Sequence, residues 1–182
     1  MSKLKIATDW LDICSGCEMS LLDIDERIVE LLKHVELTSC PITDLKHPPK
    51  EGVDVGILTG SVGNTDQIEV AKEMREHCKI LVAFGDCATF SPIPITALRN
   101  LFDKDKVLER GYIETESTVD GRIPESDKLC KLLSKSRAIS EFVKVDFYLP
   151  GCPPDADTIY YVLTELAAGR VPVLEGKNLR YD

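Results

Sequence analysis

Lys79-Ile80-Leu81-Val82-Ala83-Phe84 is a near-continuous apolar run, and Gly85-Asp86-Cys87 follows it directly. A run of this length without polar alternation is typical of a strand in a parallel sheet that helices cover on both faces. Further strands are predicted at 4–10, 35–39, 53–59 and 145–149, where the sequence is again rich in apolar residues.

Helices are predicted between these strands. A stripe of apolar residues at helical spacing predicts one helix over 17–33, and its members are Leu21, Ile24, Ile28, Leu31 and Leu32. Two more helices are predicted over 65–77 and 157–168, the second stopped by Gly169. The pattern weakens over 90–142, where only short helices near 96–102 and 126–133 are expected. The alternation predicts an α/β fold with a doubly wound parallel sheet, and the length fits a single domain over 1–182.

The composition argues against two classes of partner. Lys and Arg total 22 and Asp and Glu total 31, so the formal net charge is −9 and there is no basic surplus to bind nucleic acid. No apolar stretch approaches the roughly 20 residues of a membrane span. Because the first residues contain neither an apolar signal region nor a twin-arginine pair, a cytoplasmic location is expected.

Seven cysteines carry the functional signal. In a reducing compartment a disulfide framework is not expected, and an odd number cannot pair completely within one chain. Cys14 and Cys17 follow the first predicted strand, Cys87 follows the apolar run, and Cys152 follows the last strand. The carboxyl ends of parallel strands share one edge of the sheet. These four thiols are therefore expected to meet there, although 69 and 64 residues lie between the three segments that contain them.

Four thiolates suit either a zinc ion or a 4Fe–4S cluster. The cluster is favoured because zinc ribbons use two close cysteine pairs, whereas Cys14 and Cys17 are the only such pair in this sequence. Pro153 after Cys152 matches the Cys-Pro ending of ferredoxin motifs, and glycines near the cysteines let backbone amides approach a bulky cluster. Taken alone, the spacing of Cys14 and Cys17 is also that of a thioredoxin-like dithiol.

The other candidates have simpler interpretations. Cys40, Cys78 and Cys130 lack matching partners and are interpreted as buried or surface thiols. The segment 59–65 has the glycines of a phosphate-binding loop at a helix start, but it lacks the lysine of a P-loop, so a nucleotide or flavin site is the weaker interpretation. Asp12 and Asp86 are expected to order loops rather than to transfer protons.

Several motifs together resemble one family. They are Cys14-Ser15-Gly16-Cys17, Met19-Ser20-Leu21-Leu22-Asp23-Ile24-Asp25-Glu26-Arg27, Gly85-Asp86-Cys87, Leu149-Pro150-Gly151-Cys152-Pro153-Pro154 and Arg180-Tyr181-Asp182. With these motifs, nearly the whole chain resembles the small subunit of soluble, NAD-linked nickel–iron hydrogenases. The resemblance implies a flavodoxin-like domain in which Cys14, Cys17, Cys87 and Cys152 hold one 4Fe–4S cluster proximal to a nickel–iron site. That site belongs to a separate large subunit, so the chain is implied to be an oxidoreductase subunit with no catalytic residue of its own.

The resemblance also implies partners and leaves alternatives. Electrons are expected to pass to iron–sulfur and flavin subunits of the diaphorase type, since the C-terminal cluster ligands of respiratory small subunits are absent from this sequence. Glu18, directly after Cys17, is a candidate for cluster tuning or proton relay, or else a helix-start acid favoured by the macrodipole. The alternatives are the small subunit of a complex I-like oxidoreductase, whose first motif has adjacent cysteines that are missing here, and a stand-alone thioredoxin-like or flavodoxin-like redox protein. A structural zinc module is a further alternative.

Overall fold

Five parallel strands form the main sheet of the protein, of which the computed structural model describes residues 3–41, 44–91 and 99–179. The strands in the described residues are β1 (Leu4–Trp10), β2 (Val35–Ser39), β3 (Val53–Thr59), β4 (Val62–Asn64), β5 (Cys78–Phe84), β6 (Leu132–Arg137) and β7 (Phe147–Leu149). The main sheet has the order β2-β1-β3-β5-β7, and every neighbouring pair in it is parallel. This is the flavodoxin-like strand order, and it confirms the predicted fold class.

Helices cover both faces of the main sheet. The helices with assigned bounds are α1 (Gly16–Leu22), α2 (Arg27–His34), α3 (Thr65–His77), α4 (Asp86–Phe90), α5 (Lys104–Tyr112) and α6 (Ala156–Ala167), of which α5 lies against β6 instead of the main sheet. The buried side chains of α2 and α6 pack with Ile57 and Val82 on one face, whereas those of α3 pack with Leu58 and Leu81 on the other. Because successive side chains of a strand point to opposite faces, β3 and β5 contribute to both cores.

The predicted helices over 65–77 and 157–168 are observed within a residue of their expected bounds. α3 begins after Asn64, whose side-chain oxygen accepts a hydrogen bond from the N–H of Gln67 at 2.9 Å. Asp155 does the same for α6 by accepting from the N–H of Thr158 at 3.0 Å. Gly169 follows α6 with φ +73°, as a helix stop requires. No described helix combines the length and the apolar character that a bilayer span requires.

The single helix predicted over 17–33 is wrong, because the structure divides it into α1 and α2. Asp25, between the two helices, has φ +62°, a left-handed conformation that interrupts the right-handed helix. Ile24 lies in the same turn and is fully buried, so the apolar spacing continues across the break and hides it in the sequence. Leu32 is 44% exposed and does not belong to the buried stripe.

The helix predicted over 126–133 is also wrong. The chain there is irregular and then enters β6, which pairs antiparallel with β4 in a separate two-stranded sheet. Most residues of β6 are exposed, so its pairing and its side-chain hydrogen bonds specify the strand rather than an apolar pattern of its own. Of the short helix expected near 96–102, residues 99–101 are helical and 96–98 lie outside the described residues. The sequence pattern did not predict α5.

Candidate metal centre at the carboxyl edge of the sheet

Loops and helix starts bring four cysteines to the carboxyl edge of the main sheet. Cys14 lies in the loop after β1, and Cys17 is the second residue of α1. Cys87 is the second residue of α4, which follows β5 after Gly85, and Cys152 lies three residues beyond the end of β7. Since β1, β5 and β7 run in the same direction in one sheet, their carboxyl ends lie at one edge.

The four thiols are electrostatic neighbours. Burial raises the pKa of Cys17, and the charges of Glu18, Cys87, Cys14 and Cys152 raise it further. Cys17 and Cys87 are half-buried, whereas Cys14 and Cys152 are exposed. The structure therefore brings together the four thiols that the strand-end pattern selected.

Two glycines leave room for the sulfur atoms. Gly85 has φ +88°, and a Cβ at this position would overlap the Sγ atom of Cys17. A Cβ on Gly16 would lie 3.3 Å from the Sγ atom of Cys14. Any larger residue at Gly85 would therefore displace the Cys17 thiol as well as strain the backbone.

Backbone hydrogen bonds tie the loops of Cys87 and Cys152 to each other. The N–H of Gly85 donates to the carbonyl of Leu149 at 2.7 Å, and the N–H of Asp86 donates to the carbonyl of Gly151 at 2.9 Å. In return the N–H of Gly151 donates to Oδ1 of Asp86 at 2.7 Å. Asp86 thus orders loops, as the sequence predicts.

Glu18 lies in the first turn of α1 and points toward the end of β3. Its Oε1 atom accepts a hydrogen bond from the hydroxyl of Thr59. Its Oε2 atom is buried and has no hydrogen-bond partner among the described residues. The Glu18 charge is also the second cause, after burial, of the raised pKa of Cys17. This carboxylate therefore lies close enough to Cys17 for its charge to raise the pKa of that thiol.

The donor set of this edge fits a cluster. Four thiolates are the ligands of a 4Fe–4S cluster, in which each of them binds a different iron. The N–H of Gly16 already donates to Sγ of Cys14 at 3.4 Å, which is the type of amide–sulfur bond that tunes such clusters.

The other three cysteines have different surroundings, and Cys40 also follows the carboxyl end of a strand, β2. Cys78 is buried at the start of β5, which is the opposite edge of the sheet, and Cys130 is exposed before β6. Cys40 is buried after β2, the outermost strand, and its N–H donates to the carbonyl of Leu45 at 2.9 Å.

The segment 59–65 is occupied by protein contacts. It contains the short strand β4, and the N–H of Gly63 donates to Oε1 of Gln67 at 2.7 Å. The N–H of Thr65 donates to the carbonyl of Lys131 at 3.0 Å. These amides face protein acceptors, so the geometry adds nothing to the weaker phosphate-loop interpretation.

Sequence reasoning missed three residues that support the site. Thr59, the hydroxyl donor to Glu18, stands at the carboxyl end of β3, and the strand-end rule that selected the cysteines could have found it. Arg99 and Ser136 hydrogen-bond to each other beside the Cys14 loop. They lie in the stretch where the sequence pattern is weakest, and no signal in the sequence indicates them.

Comparisons with known proteins find a matching family and relatives of similar sequence. Residues 14–166 match the family described as NADH ubiquinone oxidoreductase, 20 Kd subunit. The chain is 37% identical over 183 residues to the NAD-reducing hydrogenase HoxS subunit delta of Cupriavidus necator, which covers 99% of this chain and 86% of that protein. It is 36% identical over 180 residues to a subunit of the F420-non-reducing hydrogenase of Methanothermobacter marburgensis. That match covers 97% of this chain, which spans 58% of the relative's length.

Solved structures give the same result. A crystal structure of NAD+-reducing NiFe hydrogenase in the H2-reduced state contains a similar chain, with a TM-score of 0.91, 37% identity and complete coverage of both chains. The NiFeSe hydrogenase of Desulfovibrio vulgaris Hildenborough is similar in fold, with a TM-score of 0.57 and 17% identity over 90% of this chain and 59% of that one.

Proposed function

The chain belongs to the NADH ubiquinone oxidoreductase 20 kDa subunit family, and we propose that it is the electron-transfer small subunit of an NAD-linked nickel–iron hydrogenase. One observation carries the proposal: thiols from distant segments meet at one edge of a parallel sheet, where the charges of three of them act on the fourth. The identity to the delta subunit of an NAD-reducing hydrogenase over almost the whole chain supports the choice of enzyme.

We assign Cys14, Cys17, Cys87 and Cys152 as the ligands of one 4Fe–4S cluster. When bound, such a cluster takes up and returns one electron at a time. The protein prepares the ligands: Gly85 leaves space beside Cys17, and the half-buried positions of Cys17 and Cys87 exclude water from one side of the site. Low access of water and amide hydrogen bonds to sulfur are the means by which a protein adjusts the potential of a cluster.

This role requires protein partners. Oxidation of dihydrogen releases two electrons at a nickel–iron site, which we place in a separate large subunit, and the NAD link requires iron–sulfur and flavin subunits of the diaphorase type. Met19 and Phe90 are 57% and 51% exposed, and each lies two or three residues from a proposed ligand. Large exposed apolar side chains beside the site support a protein partner at this edge. Since NAD is a cytoplasmic substrate, we place the complex in the cytoplasm.

We assign Glu18 a tuning role. Between cluster tuning and proton relay, the contacts support tuning, because Oε1 is held by the Thr59 hydroxyl and the charge already acts on Cys17. A negative charge near a cluster opposes the arrival of an electron and so lowers its reduction potential.

The test is anaerobic purification of the chain with its co-expressed partners. We expect a brown complex with a nickel-containing large subunit, in which this chain contributes about four irons to the total and one reduced-cluster EPR signal. Cys87→Ser and Cys152→Ser should each remove that signal and about four irons from the total of the complex. Cys130→Ser is the matched control, because Cys130 is exposed and precedes β6, which is not a strand of the main sheet, and this variant should retain all the iron. Full iron in both ligand variants would refute the assignment.

The complex I-like alternative rests on the description of the matching family, which names NADH ubiquinone oxidoreductase. The same preparation decides between the two, because a nickel-free large partner and quinone-dependent NADH oxidation would favour that alternative. A chain that purifies without partners and is yellow and iron-free would indicate a flavin protein, and a colourless one would indicate a dithiol or zinc protein.

A further inference from the structure

A chain of hydrogen bonds runs from Arg99 to the loop that carries Cys14. Asp12 stands two residues before Cys14, and its backbone pairs with Ser61 in both directions: the N–H of Asp12 donates to the carbonyl of Ser61 at 2.9 Å, and the N–H of Ser61 donates to the carbonyl of Asp12 at 3.1 Å. The strand β1 has already ended at Trp10, and this bridge follows the hydrogen bond from the N–H of Leu11 to the carbonyl of Thr59 at 2.9 Å.

The side chain of Asp12 provides a second fixed point. Its Oδ2 atom accepts a hydrogen bond from the hydroxyl of Ser136 at 2.7 Å. The same hydroxyl oxygen accepts from Nη1 of Arg99 at 2.8 Å. A guanidinium only donates hydrogen bonds, an ionised carboxylate only accepts them, and a hydroxyl has one proton to donate. The hydrogen bonds therefore run in one direction, from Arg99 through Ser136 to Asp12.

Ser136 is itself held on every side. It is 1% exposed, its N–H donates to Oδ1 of Asn100 at 2.8 Å, and its carbonyl accepts from Nδ2 of Asn100 at 2.9 Å. The second nitrogen of Arg99, Nη2, donates to the carbonyls of Gly63 and Leu133, both at 2.8 Å. A buried polar network in which each member is satisfied is rigid, so Asp12 is anchored to a fixed part of the molecule.

The loop needs such an anchor. Cys14 is exposed, Ser15 has φ +68°, and α1 starts without a side-chain cap. Few apolar contacts are therefore available to hold the Cys14 thiol in place, in contrast to Cys17, which packs against a buried core.

We propose that Asp12 is a positioning residue of the metal site. Its hydrogen bond to Ser136, which Arg99 holds in turn, fixes the loop that carries the Cys14 ligand. The position of this loop then fixes the potential and the retention of the cluster. This inference rests on the proposed function, because it assigns Asp12, Ser136 and Arg99 to the same centre. The carboxylate of Asp12 acts as a hydrogen-bond acceptor at a fixed place and not as a charge alone.

The experiment uses the assembled complex with Asp12→Ala, Asp12→Asn, Ser136→Ala and the control Ser134→Ala. Ser134 lies on β6 as Ser136 does, but its side chain is exposed. Iron content is measured for each copy of the chain, and the midpoint potential comes from an anaerobic redox titration followed by EPR. We expect Asp12→Ala and Ser136→Ala to shift the potential in the same direction and to lose iron from the Cys14 corner on exposure to air. Asp12→Asn should restore wild-type behaviour, because its amide oxygen accepts the same hydrogen bond, and Ser134→Ala should match the wild type.

Wild-type potential and iron content in both Asp12→Ala and Ser136→Ala would overturn the inference. It would also fail if Asp12→Asn shifted the potential as much as Asp12→Ala, because the charge would then be the cause. If circular dichroism shows that Ser136→Ala does not fold, the two Asp12 variants decide alone. A wild-type complex without iron would instead refute the proposed function, so the two failures are distinguishable.

Discussion

The two ends of the main sheet have opposite chemistry. At the amino edge, charged groups satisfy one another: Nζ of Lys79 contacts Oδ1 of Asp54 at 2.7 Å, and Arg75 pairs with Asp146 before β7. At the carboxyl edge, four thiols stand together and the Oε2 atom of Glu18 has no partner among the described residues. One end of the fold is complete as a structure, whereas the other is arranged for something that the chain itself does not supply.

The pKa values of the titratable groups also differ between the two edges of the sheet. Burial works against the charged form of Asp146, but the N–H of Leu81, the guanidinium of Arg75 and the ammonium of Lys144 overcome it and hold the pKa of that carboxyl at about 2. The pKa of Asp54 is lowered by its hydrogen bonds to Lys79 and to the N–H of Lys5. Cys17 shows the reverse, because burial and the neighbouring negative charges all raise its pKa. Without a cation beside them, four neighbouring thiols disfavour the thiolate form of one another.

The largest expected effect comes from a single methyl group at the carboxyl edge. Gly85→Ala should abolish iron binding and lower the free energy of unfolding by roughly 1–3 kcal/mol, since the new Cβ would overlap Sγ of Cys17. Gly169→Ala is the matched control: Gly169 has φ +73°, but a Cβ there meets no atom of the described residues within 4 Å. The control should lose about 1 kcal/mol from backbone strain and keep its iron. Iron analysis and denaturant unfolding measure both effects, and equal iron in the two variants would contradict the crowding argument.

Substitutions at the amino edge should change the stability of the protein and nothing else. Asp146→Asn removes a carboxylate that accepts from Leu81 and Arg75, and should cost about 2 kcal/mol of unfolding free energy. Asp54→Asn should cost less than about 1 kcal/mol, because the partner ammonium of Lys79 is 78% exposed. Neither variant should change the iron content. A loss of iron in Asp146→Asn would show that the two edges are coupled.

The carboxylate of Asp146 makes the stability of the protein depend on pH in the acid range. A folded-state pKa below the ordinary value of 3.8 means that the unfolded chain binds the proton first. The stability due to Asp146 is therefore complete above about pH 4 to 5 and is lost as the pH falls toward 2. The difference in unfolding free energy between the wild type and Asp146→Asn should shrink over this interval, and a constant difference would exclude the ion pair as its source.

At the carboxyl edge, the thiol of Cys17 should make the stability of the protein depend on pH in the alkaline range. In the iron-free protein the folded state keeps the proton of Cys17 above the ordinary thiol pKa of 9.0, whereas the unfolded chain releases it. Stability should therefore fall as the pH rises above 9, by about 1 kcal/mol at pH 10. Cys17→Ser should remove this part of the decline. Denaturant unfolding at pH 8 to 10 is the measurement, and parallel declines for both proteins would assign the effect to other groups.

The smallest effect is expected at Glu18. Glu18→Gln keeps the acceptor for the Thr59 hydroxyl but removes a negative charge beside Cys17. The midpoint potential of the reduced-cluster signal should rise by a shift on the order of tens of millivolts, with no loss of iron. Glu26→Gln, a change at an exposed residue before α2, should leave the potential unchanged. A fall in potential would contradict the tuning role.

The periodicity of apolar residues and the positions of the strand ends predicted the regular parts of the protein. The apolar run in β5 and the helices α3 and α6 follow local rules, and the four cysteines follow from the rule that parallel strands end at one edge. The turn at Asp25 was hidden because the buried Ile24 preserves helical spacing across it. β6 was missed because Ser136 is placed by Asn100, Arg99 and Asp12, partners 36, 37 and 124 residues away. Side-chain hydrogen bonds between distant residues leave no periodic trace in a sequence.

The scattering of the four cysteines has a consequence for biosynthesis. Cys14 and Cys152 are 138 residues apart, and the last strand of the sheet is made just before Cys152. At ordinary elongation rates a ribosome needs on the order of ten seconds to travel between them. For most of that time the nascent chain holds at most three of the four proposed ligands, so under this assignment cluster assembly waits until translation has delivered nearly every element of the domain.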